Sequence, residues 1–413
     1  MPNGNVMATL VHNKSSAFHP LTKNFINLAR NTEAIHAAMN NPAQYLLTEG
    51  NVLDNPTNRF TQQEIQMVRQ VREGLRRSNI QEQRINGIIR NTYPDLVDRG
   101  IINVLDQVTP HIDIANVQQV FHNDDTIMRQ VALNKIEWTN LTSEGASIIR
   151  LSERPGVDYP TARRLGFQDI VYIEEFPMVI ANIGYKRARD EDSLEEAELI
   201  PNETHDGQVQ VYTEIFTTEA IYFSLDSQRL EQWIRRWSEA ELAIYPNLPH
   251  SLSMISEVTM EHKNIRTCDE TRSDSGTITN PIGHYLLTLL HTLSHSTILA
   301  CSVKSGFQTN SLGEYISPGT LGFYVYVNKM YESGLGGLEN LFNRDMNGVL
   351  QRIETNTIDC FHDPHCKNRL DSACHACVVL SETTCREFNS HLDRKTLHGD
   401  QNRRRPGYLN FQG

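Results

Sequence analysis

Positive charge is in short supply. Lys and Arg number 38 against 50 Asp and Glu, so the 413-residue chain has a formal charge of −12. A surface of that sign has no general attraction for nucleic acid, although a local basic patch can act once salt screens charges beyond about 10 Å. Long apolar runs are missing too: none reaches the roughly 18 residues needed to cross a bilayer, so no membrane partner is expected. Met1-Pro2-Asn3-Gly4-Asn5 carries no basic stretch leading into an apolar one, which argues against a secretory signal. The chain has no G-x4-G-K-[ST] loop, no G-x-G-x-x-G, no serine nucleophile elbow, no H-K-D phosphodiesterase pair and no acidic nuclease set. It therefore gives no independent reason to expect an enzyme. No internal repeat or low-complexity tract appears. Cysteine is sparse, with seven residues, an odd number. Without a signal peptide, that favours reduced thiols in a cytoplasmic setting. Hydrophobic residues make up 39% and charged residues 21%, which is ordinary for a globular protein with core enough for two or three domains.

The few cysteines are concentrated. Five fall within 26 residues, at Cys360, Cys366, Cys374, Cys377 and Cys385, spaced C-x5-C-x7-C-x2-C-x7-C. Cys374-His375-Ala376-Cys377 sets two sulfurs on one tight turn, aimed at a single tetrahedral ion, and two further cysteines close the shell. Five candidates compete for four places. Cys366, Cys374, Cys377 and Cys385 are the favoured set, with Cys360 the alternate that can replace either end. Soft thiolates favour zinc; an iron–sulfur cluster and unbound thiols remain alternatives. The segment between Asp359 and Ser372 is poor in apolar residues, so an ion is expected to hold it. Cys268 and Cys301 stand alone and read as small buried hydrophobes.

The pattern along the chain predicts a mixed α/β, α+β fold: a mainly helical region over 1–150, a β-rich region over 151–270, a C-terminal α/β zinc-binding module over 271–400 and a basic tail over 401–413. Met7 to Val11 reads as a short strand, and Phe18 to Leu21 as an extended entry to a helix. Thr61-Gln62-Gln63-Glu64 is a capping box, followed by Ile65, Val68, Val71 and Leu75 at helical spacing. Further helices are expected over Ile80–Thr92 and Ile114–Leu133. Strands are expected at 169–173, 178–183, 210–216 and 220–225. Asp226 caps a helix expected over Leu230–Ala243, whose Trp233 and Trp237 form a core seam. Residues 270–277 read as a loop or boundary. His284–Val303 is an apolar helix at the centre of a domain, Phe323–Val327 the clearest strand, and Glu339–Thr355 a helix.

Weaker constellations each carry two readings. His291 and His295 sit at i, i+4, a spacing that can bind zinc from one helix, but position 292 is Thr where a catalytic Glu would stand. Hydrogen bonding to backbone or to the following strand is the plainer role; hydrolysis with an acidic partner such as Glu339 is the sharper one. Gly334-Leu335-Gly336-Gly337-Leu338 opens a helix after a strand, so Gly336 and Gly337 either offer N–H groups to phosphate or simply permit tight packing. Arg76 and Arg77, with Arg69 and Arg72, form either a solvated face or a phosphate-contacting stripe. Arg394, Lys395 and Arg403 to Arg405 give a basic end that either touches phosphate or frays. Six carboxylates in nine residues from Asp190 to Glu198 read as a solvated loop.

Taken in order, several segments resemble a known family. They are Tyr285 to His295, Gly334 to Leu338, Cys360-x5-Cys366, Ala373 to Cys377, Glu382-Thr383-Thr384-Cys385, Phe388-Asn389 and Leu392-Asp393-Arg394. This series is similar to the zinc-binding C-terminal module shared by the B component of the DISARM phage-defence system, DrmB, and by the mitomycin-repair helicases. Val179 to Arg187 and Thr218 to Phe223, leading to Trp233, extend a weaker resemblance from about residue 165. The resemblance implies zinc on the cysteines and a non-motor subunit of an antiviral complex. Such a subunit would pair with a superfamily 2 helicase and help it engage DNA. A metal-dependent nuclease using His291 and His295, or a scaffold that never meets DNA, are the alternatives.

Overall fold

A computed structural model describes residues 19–28, 32–48, 62–78, 80–98, 101–105, 112–143, 145–154, 159–187, 198–202, 206–245, 248–267, 278–328, 336–369, 371–381, 384–385, 387 and 389–411. The strand expected at 7–11, the loop at 270–277, Thr61 of the capping box and nearly all of the acidic run lie outside them. In chain order the strands are β1 (His19–Ile26), β2 (Ile148–Arg150), β3 (Phe167–Arg187), β4 (Glu198–Pro201), β5 (Tyr212–Leu225), β6 (Leu312–Ser317), β7 (Gly322–Val327), β8 (Gly399–Asp400) and β9 (Arg405–Pro406). The first seven build one antiparallel sheet in the order β1-β3-β5-β7-β6, with β2 and β4 also pairing to β3. The fold is α+β. Strands from the helical, β-rich and cysteine-bearing stretches of sequence all share this sheet.

Both faces of the inner strands are covered, and the alternation of side chains explains how. On β5 and β7, Ile221, Phe223, Phe323 and Val325 face a large core of helices, while Tyr222, Tyr324 and Tyr326 face a smaller aromatic core with Phe176 and Tyr315. Phe176 and Tyr324 stack at 5.1 Å between ring centres. Such strands read as continuous apolar runs, and Phe323–Val327 does so in the sequence. By contrast, the first part of β5 is exposed, and it is continuously buried only from Thr218 onward.

Helices before the sheet's long strands are α1 (Thr32–Asn40), α2 (Pro42–Thr48), α3 (Gln62–Arg77), α4 (Glu82–Thr92), α5 (Pro94–Asp98), α6 (Ile101–Val104), α7 (Ile114–Val120), α8 (Asp125–Leu141) and α9 (Tyr159–Arg164). Ile65, Val68, Ile85, Ile89, Leu96 and Ile101 make a small separate core among α3–α6. The helix expected over Ile114–Leu133 is two: Asp124 accepts from the N–H groups of Thr126 and Ile127 and starts α8 afresh. After the long strands come α10 (Ser227–Trp237), α11 (His250–Thr267), α12 (Pro281–Ser305), α13 (Gly337–Arg344), α14 (Met346–Thr355), α15 (His365–Asn368) and α16 (Lys395–His398).

The centre of the molecule is α12. Asn280 Oδ1 accepts from Gly283 N–H at 3.0 Å, Pro281 stands in the first turn, and Gly306 closes the helix at φ 79°. By length and composition α12 is apolar enough to cross a membrane, which the count of uninterrupted apolar residues did not anticipate. It is a core helix here: the side chains from Leu286 to Ile298 are all buried. Elements α11, α13, α14, α16, β6 and β7 pack around it.

Several expectations needed correction. The strands at 169–173 and 178–183 are one strand, β3, bulged between Ile173 and Phe176 where it pairs with β5. The helix beginning after Asp226 stops at Trp237, and Glu339–Thr355 is two helices broken at Asp345. His19–Leu21 belongs to β1 and does not lead into a helix. The basic tail does not fray: Tyr408, Leu409 and Phe411 are buried in the main core. Trp233 Nε1 donates to Pro406 O at 3.0 Å, and Arg229 holds the carbonyls of Tyr408 and Leu409.

Candidate metal centres

Cys360, Cys366, Cys374 and Cys377 converge, with their sulfurs within 4.8 Å of one another. The Cys360–Cys374, Cys374–Cys377 and Cys366–Cys377 sulfur pairs stand 3.4, 3.7 and 3.8 Å apart. A tetrahedral ion with metal–sulfur bonds of about 2.3 Å requires edges of about 3.8 Å. The group can therefore hold one metal ion. Backbone N–H groups already serve the sulfurs, Cys374 N–H donating to Cys377 Sγ at 3.2 Å and His362 N–H to Cys360 Sγ at 3.4 Å. Burial opposes a thiolate at Cys374, but hydrogen bonds from the Ala376 backbone, His362 and the neighbouring cysteines outweigh it and hold that thiol down at about 6. Burial pushes Cys366 up to about 11, so an ion must displace its proton to bind there.

The loop that presents Cys360 and Cys366 is clamped by Asp363. Its carboxylate accepts from Cys360 N–H and Lys367 N–H, both at 3.0 Å, and pairs with the Arg394 guanidinium. Arg394 also donates to the Ile358 carbonyl at 3.0 Å and is 3% exposed. Expected as a phosphate contact, Arg394 is instead an internal strut of the cysteine loop. Lys395 next to it donates to Arg369 O at 2.7 Å.

Cys385 is not among these four, and the position expected for it is taken by Cys360. Its sulfur lies with His291, His295 and Glu314, four buried groups whose donor atoms sit within 4.8 Å of one another. His291 Nε2 is 3.1 Å from Glu314 Oε1 and 3.3 Å from Cys385 Sγ, and His295 Nε2 is 3.2 Å from the same Glu314 oxygen. The other nitrogen of each ring donates to a carbonyl at 2.6 Å, His291 Nδ1 to Ser390 and His295 Nδ1 to Val378. So the histidines do reach backbone and a strand, and both in addition face a carboxylate that the sequence reading did not single out. Glu314 stands on β6 at the same parity as Leu312 and Ile316, which face α12. An acid on the buried side of an apolar alternation was the available signal. It becomes legible only once β6 is recognised as a strand. Glu339, the acidic partner considered for the histidines, is not in this group: it lies at the start of α13, where its N–H donates to Glu219.

A third group, Glu261, His284 and His391, also brings three metal-capable side chains together. Glu261 Oε1 lies 2.9 Å from His391 Nε2 and 3.7 Å from His284 Nδ1. Burial works against its charge, but these imidazole contacts outweigh that and hold the carboxyl at about 2.

The glycine turn does bind an anion, an internal one. Gly336 N–H and Leu338 N–H donate to Glu219 Oε1 at 3.1 and 3.0 Å, and Glu339 N–H to Oε2 at 3.0 Å. The seat expected for phosphate at Gly336 and Gly337 is filled by that carboxylate. Gly337 is required by packing as well, since a Cβ there would come within 2.2 Å of the Phe307 ring. Arg76 is exposed and shares Glu82 with the buried Arg72, whereas Arg77 is exposed at the end of α3.

No protein-family profile matches the chain. A curated bacterial protein, the DISARM protein DrmB of Bacillus paralicheniformis, is 25% identical to it over 191 residues. The matched part is 43% of this chain and 31% of that relative, so the chain spans less than a third of the relative's length. The homology is distant. It agrees with the DrmB side of the resemblance and adds nothing to the mitomycin-repair side.

Proposed function

We propose that the chain is a non-motor accessory subunit of a DISARM-type antiviral complex, built around a structural zinc ion on Cys360, Cys366, Cys374 and Cys377. The observation that carries the reading is the 191-residue similarity to DrmB; the converged sulfurs, which suit zinc above harder cations, support it. The site meets solvent at the partly exposed Cys374. Phe361 is 91% exposed, and beside it a cleft of about 420 Å³ is lined by His362, His365, Arg369 and Cys374. A solvent-facing aromatic next to a rigid metal loop is suited to docking a protein partner. In this reading the partner is a superfamily 2 helicase, and both proteins are cytoplasmic.

DNA engagement would be a local matter, because the net charge repels it. With Arg394 internal and the glycine turn filled, support shifts to a cleft of about 400 Å³ lined by Arg236, His398, Arg404 and Arg405, with Asp400 also on its wall. Arg236 and Arg404 are exposed, while Arg405 is stacked over Trp237 and Tyr285.

Co-expression with the superfamily 2 helicase of a DISARM-type system tests the reading. The two proteins are expected to co-purify through size exclusion, and Phe361→Asp to weaken that association with its melting temperature unchanged. A chain that elutes alone beside a folded helicase overturns the assignment. A mobility shift run across salt concentrations separates DNA contact from scaffolding. The log of the affinity should fall against the log of salt by about 0.9 per neutralised phosphate, and less steeply in Arg236→Ala and Arg404→Ala.

A further inference from the structure

We propose that His291, His295, Glu314 and Cys385 form a second metal site, closed and independent of the four-cysteine group, that takes one zinc ion.

The argument begins with hydrogen bookkeeping. Carbonyl oxygens only accept, so Ser390 O and Val378 O fix the proton of each imidazole on Nδ1. In its neutral form each ring then aims an Nε2 lone pair at the centre of the group. Glu314 Oε1 and Cys385 Sγ aim lone pairs at the same point. Four Lewis bases thus face one another in the interior, each of the four residues being no more than 2% exposed. Left to themselves they can be reconciled only by protons placed among them, on the thiol, the carboxyl or an imidazole, with the two ring centres 4.5 Å apart. One divalent ion reconciles all four at once.

The donor atoms stand within about 0.3 Å of the separations that a shared ion requires. Bonds of about 2.0–2.1 Å to nitrogen, 2.0–2.2 Å to oxygen and 2.3 Å to sulfur give tetrahedral edges of roughly 3.3–3.7 Å. The observed Nε2–Oε1, Nε2–Sγ and Nε2–Oε1 separations are 3.1, 3.3 and 3.2 Å. Outer contacts hold every donor in place. Besides the two carbonyls, Ser294 Oγ donates to the remaining Glu314 oxygen and Asn389 N–H to Cys385 Sγ at 3.2 Å. Metal-bound histidines carry this kind of support, which sets the ring's tautomer and orientation. Two nitrogens, one oxygen and one sulfur suit zinc, and four protein ligands complete its tetrahedral shell with no open position. The site is therefore structural, which removes these histidines from any hydrolytic role. Its effect is to fasten α12, β6 and the loop carrying Cys385 at one point, one residue beyond the Cys377 ligand at Val378.

The test is elemental analysis of the full chain, purified without added metal. Two zinc ions per chain are expected in the wild type, one in Cys374→Ser and one in His295→Ala. If His295→Ala does not fold, His295→Cys keeps a ligand and should retain two. Cobalt exchanged into Cys374→Ser should then give the visible bands of a tetrahedral site with a single sulfur. A wild type with one zinc that disappears in Cys374→Ser overturns the second site and leaves the proposed function intact. So does iron or copper as the second ion, as far as zinc is concerned. A single zinc that survives in Cys374→Ser and is lost in His295→Ala supports this site and overturns the four-cysteine one.

Discussion

Glu219 and Gly336, 117 residues apart in sequence, meet at the amino end of α13, where the glycine's N–H donates to the carboxylate at 3.1 Å. Two further N–H groups of that first turn and the Tyr172 hydroxyl donate to the same side chain. A helix start leaves unpaired N–H groups and a partial positive charge, and here a buried carboxylate answers both. Glu219→Gln keeps one acceptor oxygen, loses the charge and turns an NH₂ toward donors. We expect a loss of about 2–3 kcal/mol, read as a lower urea midpoint with an unchanged slope. A midpoint equal to that of the wild type would show that the carboxylate is not what fills the turn.

Serine at Cys360 should cost the chain its four-sulfur ion and several kcal/mol of stability, because binding energy at such a site is also folding energy. Cys301→Ser is the control. That thiol is buried on α12, burial pushes it up to about 12, and it touches neither metal group. It should melt lower by about 1–2 kcal/mol with its metal content unaltered. Equal zinc in the Cys360→Ser and Cys301→Ser proteins would mean that Cys360 is not a ligand.

How far the sequence carries depends on how local the signal is. The C-x2-C turn is a contact between near neighbours, so Cys374 and Cys377 were legible from spacing alone. The choice between Cys360 and Cys385 was not. It is decided by Asp363 and Arg394, which fold the 360–366 loop over the turn, and by the contacts of Val378 and Ser390 with His295 and His291 on α12. Apolar runs announced α12 and β7. The strand β6 was hidden by Gly313 and Glu314, which break the pattern for long-range reasons: a Cβ at Gly313 would strike the Tyr326 ring, and Glu314 faces two histidines. The Gly336–Gly337 turn left an anion seat and tight packing as alternatives, and the structure has both, with the anion supplied by the chain itself.

Tyr408 locks onto Gly166, just before β3, and onto α10. Tyr408 Oη donates to Gly166 O at 2.7 Å, and its ring lies so close that a Cβ on Gly166 would come within 2.6 Å of it. Gly166 also has φ of 95°, a conformation that resists any other residue. Tyr408→Phe should lose about 1–2 kcal/mol through the unpaired carbonyl, and Tyr408→Ala about 3–5 kcal/mol through the added cavity. Thermal melts of both, beside Gly166→Ala, check the ordering. If Tyr408→Ala melts with the wild type, the end of the chain is not part of the core.

Asp393 supplies a pH test that metal loss does not confound. Its Oδ1 accepts from Lys395 N–H at 2.9 Å and Ser372 N–H at 3.2 Å, tying α16 to the cysteine loop. Burial raises its carboxyl to about 6, against the partial relief offered by those N–H groups and the Lys395 charge. An acid raised on folding prefers the folded state while protonated. Its contribution is therefore complete below its unfolded value near 3.9, and is lost as pH climbs through about 6. Asn at this position keeps the acceptor oxygen and cannot ionise. The stability of Asp393→Asn minus that of the wild type should then rise by about 1.4 kcal/mol between pH 5 and pH 7.5. Both proteins carry the same metal ligands, so protonation of cysteine or histidine cancels in the difference. Urea midpoints at four or five pH values measure it, and a difference that stays flat across that range would mean that Asp393 is ionised in the folded protein throughout.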